Sequence, residues 1–292
     1  MLFGNIQLTT QTINLLLQEG IDVSFLTLNG KLRGRLVASE SKNVILRLAQ
    51  YERYLDDEFQ LTQARAIVKG KISNARAMIL RHLRNHPELN FSKEIELIEQ
   101  TLRKLDRNQT VNSLVGAEGI ATAAYFRCFG QMFRKELIFT ERSRRPPKDP
   151  VNAILSLGYT MITNEILGLV IAHGLDPYIG FLHGIVYGRP SLALDLVEEF
   201  RQPIIDRLTL HLFNHKVLTT EDFQKVKQNG VYLTNDGLKK YFQFYEKRLK
   251  APLKHKESDS TANMRSIMKQ QVHRMAKSIQ NREMYNPFSM EI

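Results

Sequence analysis

Cysteine occurs once in the 292 residues, at Cys128, which excludes an intrachain disulfide and any multi-cysteine zinc site. No uncharged apolar run reaches the roughly 18 residues of a membrane span. The best stretch, Ile166 to Ala172, is far shorter. The opening MLFGNIQLTTQTINLLL has no basic n-region and no small-residue cleavage site, so it does not read as a secretion signal. A G-x-S-x-G elbow, a P-loop, a G-x-G-x-x-G fingerprint and an H-E-x-x-H pair are all missing. No internal repeat is present. A soluble, cytoplasmic protein is the expectation, with its chemistry outside the commonest short motifs.

What is there is ordinary in bulk and unusual in charge. A hydrophobic fraction of 43% and a charged fraction of 24% suit one large or two ordinary globular domains. Against 30 Asp+Glu stand 41 Lys+Arg, a formal +11 that favours a polyanionic partner: nucleic acid first, an anionic membrane surface second. The excess is uneven, because Lys247 to Arg282 holds ten Lys/Arg and two Asp/Glu, eight of the eleven net charges.

Periodicity divides the chain. Thr9 to Glu19 reads as a helix led by threonine caps and closed by Gly20. Val23 to Leu28 and Lys31 to Val37 read as strands joined by an Asn29-Gly30 hairpin turn. From Leu61 the period is helical, with Ile67, Val68, Ile72, Ala75, Ile79 and Leu83 on one buried stripe. Arg65, Lys69, Lys71, Arg76, Arg81 and Arg84 then form the opposite face, which suits either tracking a phosphate backbone or plain solvation. Further helices are expected at Ser92–Leu105, Gly116–Arg134, Pro150–His173, Leu192–Phe213 and Asn235–Leu249. The capping signals Thr219–Asp222 and Thr234–Asp236 stand ahead of the later helices. Residues 254–262 read as a linker. Beyond it, Met268, Val272, Met275 and Ile279 form an apolar stripe in a basic helix, which suits a membrane surface or a docking partner as well as nucleic acid.

Four polar residues interrupt apolar surroundings: Glu118 in SLVGAEGIATAAYF, His183 in DPYIGFLHGIVYG, and Asp195 and Glu198 in LALDLVEEF. Carboxylates with one imidazole form a ligand set suited to Mg²⁺ or Mn²⁺. The ordinary alternatives are a salt-bridged Glu118, a hydrogen-bonded core His183, and Asp195 and Glu198 paired with Arg189 and Arg201. Spacing alone leaves both readings open. Cys128 beside Arg127 reads as core. Gly180, Gly184 and Gly188 read as close packing, and Tyr241, Phe242, Phe244 and Tyr245 as mostly core rather than base-stacking residues.

Several segments, in order, resemble one family: LFGNIQLTTQ, LRLAQY, KGKISN, GAEGIATAAYF, RPPKDPVNAILSLGYT, GLDPYIGFLH, RPSLALDLVEEFRQPIIDR and GVYLTNDGLKKYFQFYEKRL. The chain is identified by them as similar to the CRISPR-associated spacer-acquisition integrases, the first of the universal Cas proteins. That resemblance implies a mainly α protein with a small N-terminal β-rich domain (1–55), a larger all-helical catalytic domain (56–250) and a basic C-terminal tail (251–292). The family carries a few dozen residues ahead of the LFGN-like segment, so the β-rich domain is expected to lack its first strands. The implied activity is a metal-dependent DNA endonuclease and integrase that inserts short duplexes into the CRISPR array. Implied partners are protospacer and CRISPR-repeat double-stranded DNA, a second copy in a homodimer, and a small ferredoxin-like protein, the second universal Cas protein. No membrane is implied. The family's metal trio maps onto Glu118, His183 and Glu198, holding Mg²⁺ or Mn²⁺, with Asp195 at a further acidic position. Candidate DNA contacts are Arg65, Lys69, Arg76, Lys269, Arg274 and Lys277. The rival reading is a non-catalytic DNA-binding scaffold in which the same acidic residues are buried ion pairs.

Overall fold

The computed structural model describes residues 1–27, 32–37, 43–134, 137, 139–226, 230–255 and 258–291. The N-terminal part is a helix, α1 (Thr10–Gln18), beside a three-stranded sheet. Thr9 caps α1 by accepting from Thr12 N, and Gly20 leaves it at φ +64°. The strands β1 (Leu2–Phe3), β2 (Val23–Leu26) and β3 (Leu32–Leu36) lie in that order, β1 parallel and β3 antiparallel to β2. The expected Asn29-Gly30 turn lies outside the described residues.

A helical body follows, so the fold class is the one expected, a small β-rich start and a larger helical domain. Its axis is α3 (Asp57–Asn85), capped by Asp56 and carrying Asp57 and Glu58 in its first turn, where they complement the helix dipole. Against it pack α2 (Val44–Tyr54), α4 (Ser92–Lys104) and α5 (Val111–Gln131). The innermost element is α6 (Pro150–Ala172), started by the Asp149 cap with Pro150 at its first position. By length and a mean hydropathy of 1.6, α6 is the one described helix able to cross a membrane. Yet 61% of that stretch is buried inside the protein, as in a core helix apolar all round.

The helix expected at Leu192–Phe213 is not continuous. It runs as α7 (Ser191–Val197), a 3₁₀ turn (Glu198–Phe200), a π-helical stretch (Arg201–Asp206) and α8 (Arg207–Asn214). Pro203 supplies the reason. It has no N–H to give to the Glu199 carbonyl four residues back, so the α pattern cannot pass through it. The Asn74 side chain takes that carbonyl instead, at 2.8 Å.

The domain called all-helical also holds a hairpin, β4 (Phe223–Val226) with β5 (Gly230–Leu233). Thr219 therefore caps only a short 3₁₀ turn before a strand, whereas Thr234 caps α9 (Asn235–Lys250) as expected. The expected linker is partly a second hairpin, β6 (Leu253–His255) with β7 (Ser258–Ala262). Charged, small residues do not prevent ladder pairing once α9 and the following helix, packed on each other, bring the two ends together. That helix, α10 (Met264–Asn281), puts Met268, Val272, Met275 and Ile279 into the common core. Its apolar stripe is thus consumed inside the protein, which overturns the reading of it as a membrane-surface helix. Tyr241 and Tyr245 are core as well, and so is Cys128, whose thiol burial pushes up to about 12.

Beyond α10 the chain runs back along α3. Gln63 donates to Glu283 O (2.9 Å) and accepts from Tyr285 N (2.9 Å); Asn74 donates to Phe288 O (2.9 Å) and accepts from Met290 N (2.7 Å). Gly70 permits this approach, since a Cβ there would stand 2.6 Å from Pro287 Cβ.

Candidate active site

Three elements meet where α3, α5 and the 3₁₀ turn touch. Glu118 comes from the middle of α5, a helix that starts at a Thr110–Ser113 capping box. Glu198 comes from the first residue of the 3₁₀ turn and is 3% exposed. Between them stands Lys71 of α3. Its ammonium donates to Glu118 Oε1 and lies 2.5 Å from Glu198 Oε2, which meets no other polar partner. Thr122 Oγ1 also donates to Glu118 Oε1 (2.7 Å), and Arg201 Nη2 to Glu198 Oε1 (2.9 Å). Burial by itself would raise the Glu198 carboxyl; Arg201 and Lys71 outweigh it and hold it at about 2. Lys71 was expected on the solvated basic face and instead is the buried cation that two carboxylates share.

His183 and Asp195 form the adjoining unit. Asp195, 1% exposed on α7, uses both oxygens on one loop: Oδ2 accepts from Phe181 N (2.6 Å) and Leu182 N (2.9 Å), Oδ1 from His183 N (2.9 Å). His183 Nδ1 lies 2.7 Å from the same Oδ1. A carboxylate can only accept, so Nδ1 carries a proton, while Nε2 has no protein partner among the described residues. Burial disfavours the imidazolium, but the Asp195 hydrogen bond and charge outweigh it and keep His183 above its ordinary value. Glu198 and Lys71 are within electrostatic reach. Gln50 of α2 buttresses the loop from behind, donating to Asp176 O (2.8 Å) and Ile179 O (2.9 Å) and accepting from Asp176 N (2.8 Å). Gly180 lets the loop close: a Cβ there would stand 2.7 Å from Ser191 C and 2.8 Å from Asp195 Oδ2. Gly180→Ala is accordingly expected to lower stability by about 1–3 kcal/mol in thermal unfolding. Gly184→Ala, with nothing within 4 Å, should leave the unfolding midpoint unchanged.

A second layer fixes the chain around Glu198. Glu199, 2% exposed, accepts from Tyr285 Oη (2.6 Å), Gln271 Nε2 (3.1 Å) and Phe288 N, and burial pushes it up to about 7. Arg201 lies over the Tyr159 ring at 4.5 Å, and Tyr159 and Tyr125 both donate to Asp206, at 2.5 and 2.8 Å. Burial raises Asp206 from 3.8 to about 6, against those hydroxyls and the nearby Arg201 and Arg142. A carboxyl raised in the fold contributes stability that is complete below 3.8 and lost as pH rises through about 6. From pH 4 to 6.5, wild type should therefore lose about 2 kcal/mol relative to Asp206→Asn. Parallel stability curves for the two proteins would refute this.

The structure thus brings Glu118 and Glu198 to one cation, with His183 alongside and Asp195 behind it. Among the described residues no three His, Cys, Asp or Glu side chains yet stand close enough to share an ion. The donor set nevertheless fits a hard divalent cation: two carboxylates already converge on a positive charge, and an imidazole nitrogen is left without a protein partner. The expected ion pairs are realised by half. Glu198 meets Arg201, whereas Arg189 turns to Gly184 O and Ser191 Oγ instead of Asp195. Of the expected DNA contacts, Arg65 donates to Leu105 O (3.3 Å) and Asn108 O (2.9 Å), and Arg76 pairs with Glu99 at 2.6 Å. Both are engaged within the fold. Lys69, Lys269 and Lys277 are exposed, and Arg274 is half-buried within reach of Glu199.

Comparison with known proteins gives one answer. The family described as CRISPR associated protein Cas1 matches residues 1–247. A CRISPR-associated endonuclease Cas1 of Thermus thermophilus is 35% identical over 290 residues, covering 99% of this chain and 85% of the relative. Among solved structures, a casposase bound to integration product superposes with a TM-score of 0.87 at 26% identity, over 98% of this chain and 79% of its own. The Cas1 protein of Thermotoga maritima gives 0.80 at 27% identity, over 99% and 88%.

Proposed function

The chain belongs to the Cas1 family, and from that premise we propose that it is a metal-dependent DNA endonuclease and integrase that inserts short duplexes into a CRISPR array. The observation that carries this reading is the convergence of Glu118 and Glu198 on one buried positive charge beside an imidazole whose Nε2 is free. Glu118, His183 and Glu198 would hold Mg²⁺ or Mn²⁺. Such an ion, when bound, polarises a scissile phosphate and favours the deprotonated form of an attacking 3′-hydroxyl or water. Asp195 fixes the His183 tautomer and ring orientation, as a carboxylate behind a ligating histidine does. Gln50 and Gly180 hold the loop that delivers His183. Lys71, whose ammonium bridges the two carboxylates, would have to yield them for Glu118 and Glu198 to hold the ion. Double-stranded DNA is the substrate. A second copy of the chain and the small second universal Cas protein are the protein partners.

The chain of ion pairs Glu118–Lys71–Glu198–Arg201 is also what a non-catalytic DNA-binding scaffold would contain. A strand-transfer assay separates the two. Labelled duplex with free 3′-hydroxyls is incubated with supercoiled plasmid bearing a CRISPR array and Mn²⁺ or Mg²⁺, with and without the small partner. Label joined to plasmid, and lost with EDTA, is the expected outcome. DNA binding without joining under every condition would leave the scaffold.

A further inference from the structure

Away from this site, the end of α3, α8 and α9 gather cations whose side chains pair with no carboxylate among the described residues. Arg81 comes from α3, Arg207 and His211 from α8, and Lys247 and Arg248 from α9, with His215 just past α8. Arg248, half-buried, donates Nη2 to Pro203 O at 2.5 Å, and its Nε has no partner. Among the described residues the side chains of Arg81, Arg207 and Lys247 make no hydrogen bond or ion pair, so the Arg248 bond is the only one these four side chains make. Burial together with Arg207 and Arg81 pushes Arg248 down to about 10, and burial with Arg81 lowers Arg207. His211 is lowered by burial and then by His215, Lys247, Arg248 and Arg207, and Arg81 joins these five groups through Arg207 and Arg248. Lys247 lies 6.0 Å from the Phe244 ring centroid and His211 5.7 Å, so both sit on a shared aromatic floor.

Like charges gathered without counter-charge cost the free protein stability, so such a cluster is explained by a ligand that brings the missing negative charge. We infer that Arg81, Arg207, Lys247 and Arg248 form a phosphate-binding site for the backbone of duplex DNA, outside the Glu118–Glu198 centre. The inference rests on the reading of the chain as a DNA-acting enzyme. Its position fits a single duplex serving both sites. Arg81 is ten residues beyond Lys71 on α3, about 15 Å along the helix axis, a distance that spans roughly four to five base pairs of duplex. The cluster would then grip phosphates a few nucleotides from the reacting one. Through Pro203 it also touches the π-helical stretch that follows Glu198.

Fluorescence anisotropy of a labelled 30-base-pair duplex at several salt concentrations tests this on the full chain. Losing two phosphate contacts in Arg81→Gln/Lys247→Gln should reduce the slope of log K against log salt by about 1.8. Both residues are exposed, so the fold is not at risk. Arg207→Gln should lower the slope by about 0.9 and also raise the unfolding midpoint of the free protein, because it relieves repulsion. Unchanged slopes with wild-type strand transfer would overturn the cluster and leave the enzymatic reading intact. Wild-type protein that binds no duplex would instead sink the enzymatic reading. Variants that keep DNA binding but lose poly-glutamate binding would assign the cluster to an acidic protein surface and overturn the DNA assignment.

Discussion

Glu118→Gln is expected to abolish strand transfer while leaving a folded protein that still binds duplex DNA. The substitution keeps the shape of the side chain and an oxygen for Thr122 Oγ1, and removes one of the two negative charges around Lys71. If Glu118 is an ion ligand, joining should fall by roughly 10³-fold or more, the scale on which a charge-stabilising group acts in phosphoryl transfer. Removing a carboxylate does not weaken attraction for phosphate, so DNA affinity should hold or rise slightly, and wild-type binding should weaken steeply as salt increases. The measurement is single-turnover joining with saturating protein. A decrease below about tenfold would place Glu118 outside the reacting centre.

Lys71→Met should show the opposite pattern, lost stability that metal restores. Methionine keeps the apolar stem and leaves Glu118 and Glu198 facing each other, with Arg201 still paired to Glu198. Leaving such buried charge uncompensated costs about 3 kcal/mol, a fall of about 5–10 °C in Tm. Millimolar Mn²⁺ can then occupy the space between the carboxylates without displacing an ammonium. At a hundred times its Kd it would return about 2.7 kcal/mol. In wild type the same ion competes with Lys71 and should raise Tm less. Equal Mn²⁺ responses in the two proteins would show that the carboxylates do not bind the ion together. This readout is thermal unfolding and is independent of any DNA chemistry.

Much of the scaffold was legible because helices announce themselves locally. The Asp149-Pro150 start of α6, the stripe of α3 and the Thr234 cap of α9 all act within a few residues of their own position. The break inside Leu192–Phe213 also has a local signal, the Pro203 nitrogen that cannot donate. Lys71 had one too. It lies three residues after Val68 and four after Ile67, on the buried stripe and not opposite it, and a cation there needs an anion. Glu199, Gln50 and Tyr285 had no such signal. Glu199 is 86 residues from Tyr285 and Gln50 is 126 from Asp176, and only the closed chain brings these pairs together. The same holds for the candidate site. Residue types and spacing left Glu118, His183, Asp195 and Glu198 equally readable as ligands or as ion pairs. The family resemblance selected the first reading, and the geometry contains elements of both.

Gly70 has a consequence for how such a sequence can drift. Its neighbour in space is the rigid ring of Pro287, so position 70 is closed even to alanine as long as the ring is there. Gly116 and Gly119, by contrast, flank Glu118 with nothing within 4 Å. Three glycines close to one site therefore differ sharply in evolutionary latitude. Positions 116 and 119 can wander independently, whereas 70 and 287 are bound to change as a pair, bulk gained at one requiring bulk given up at the other.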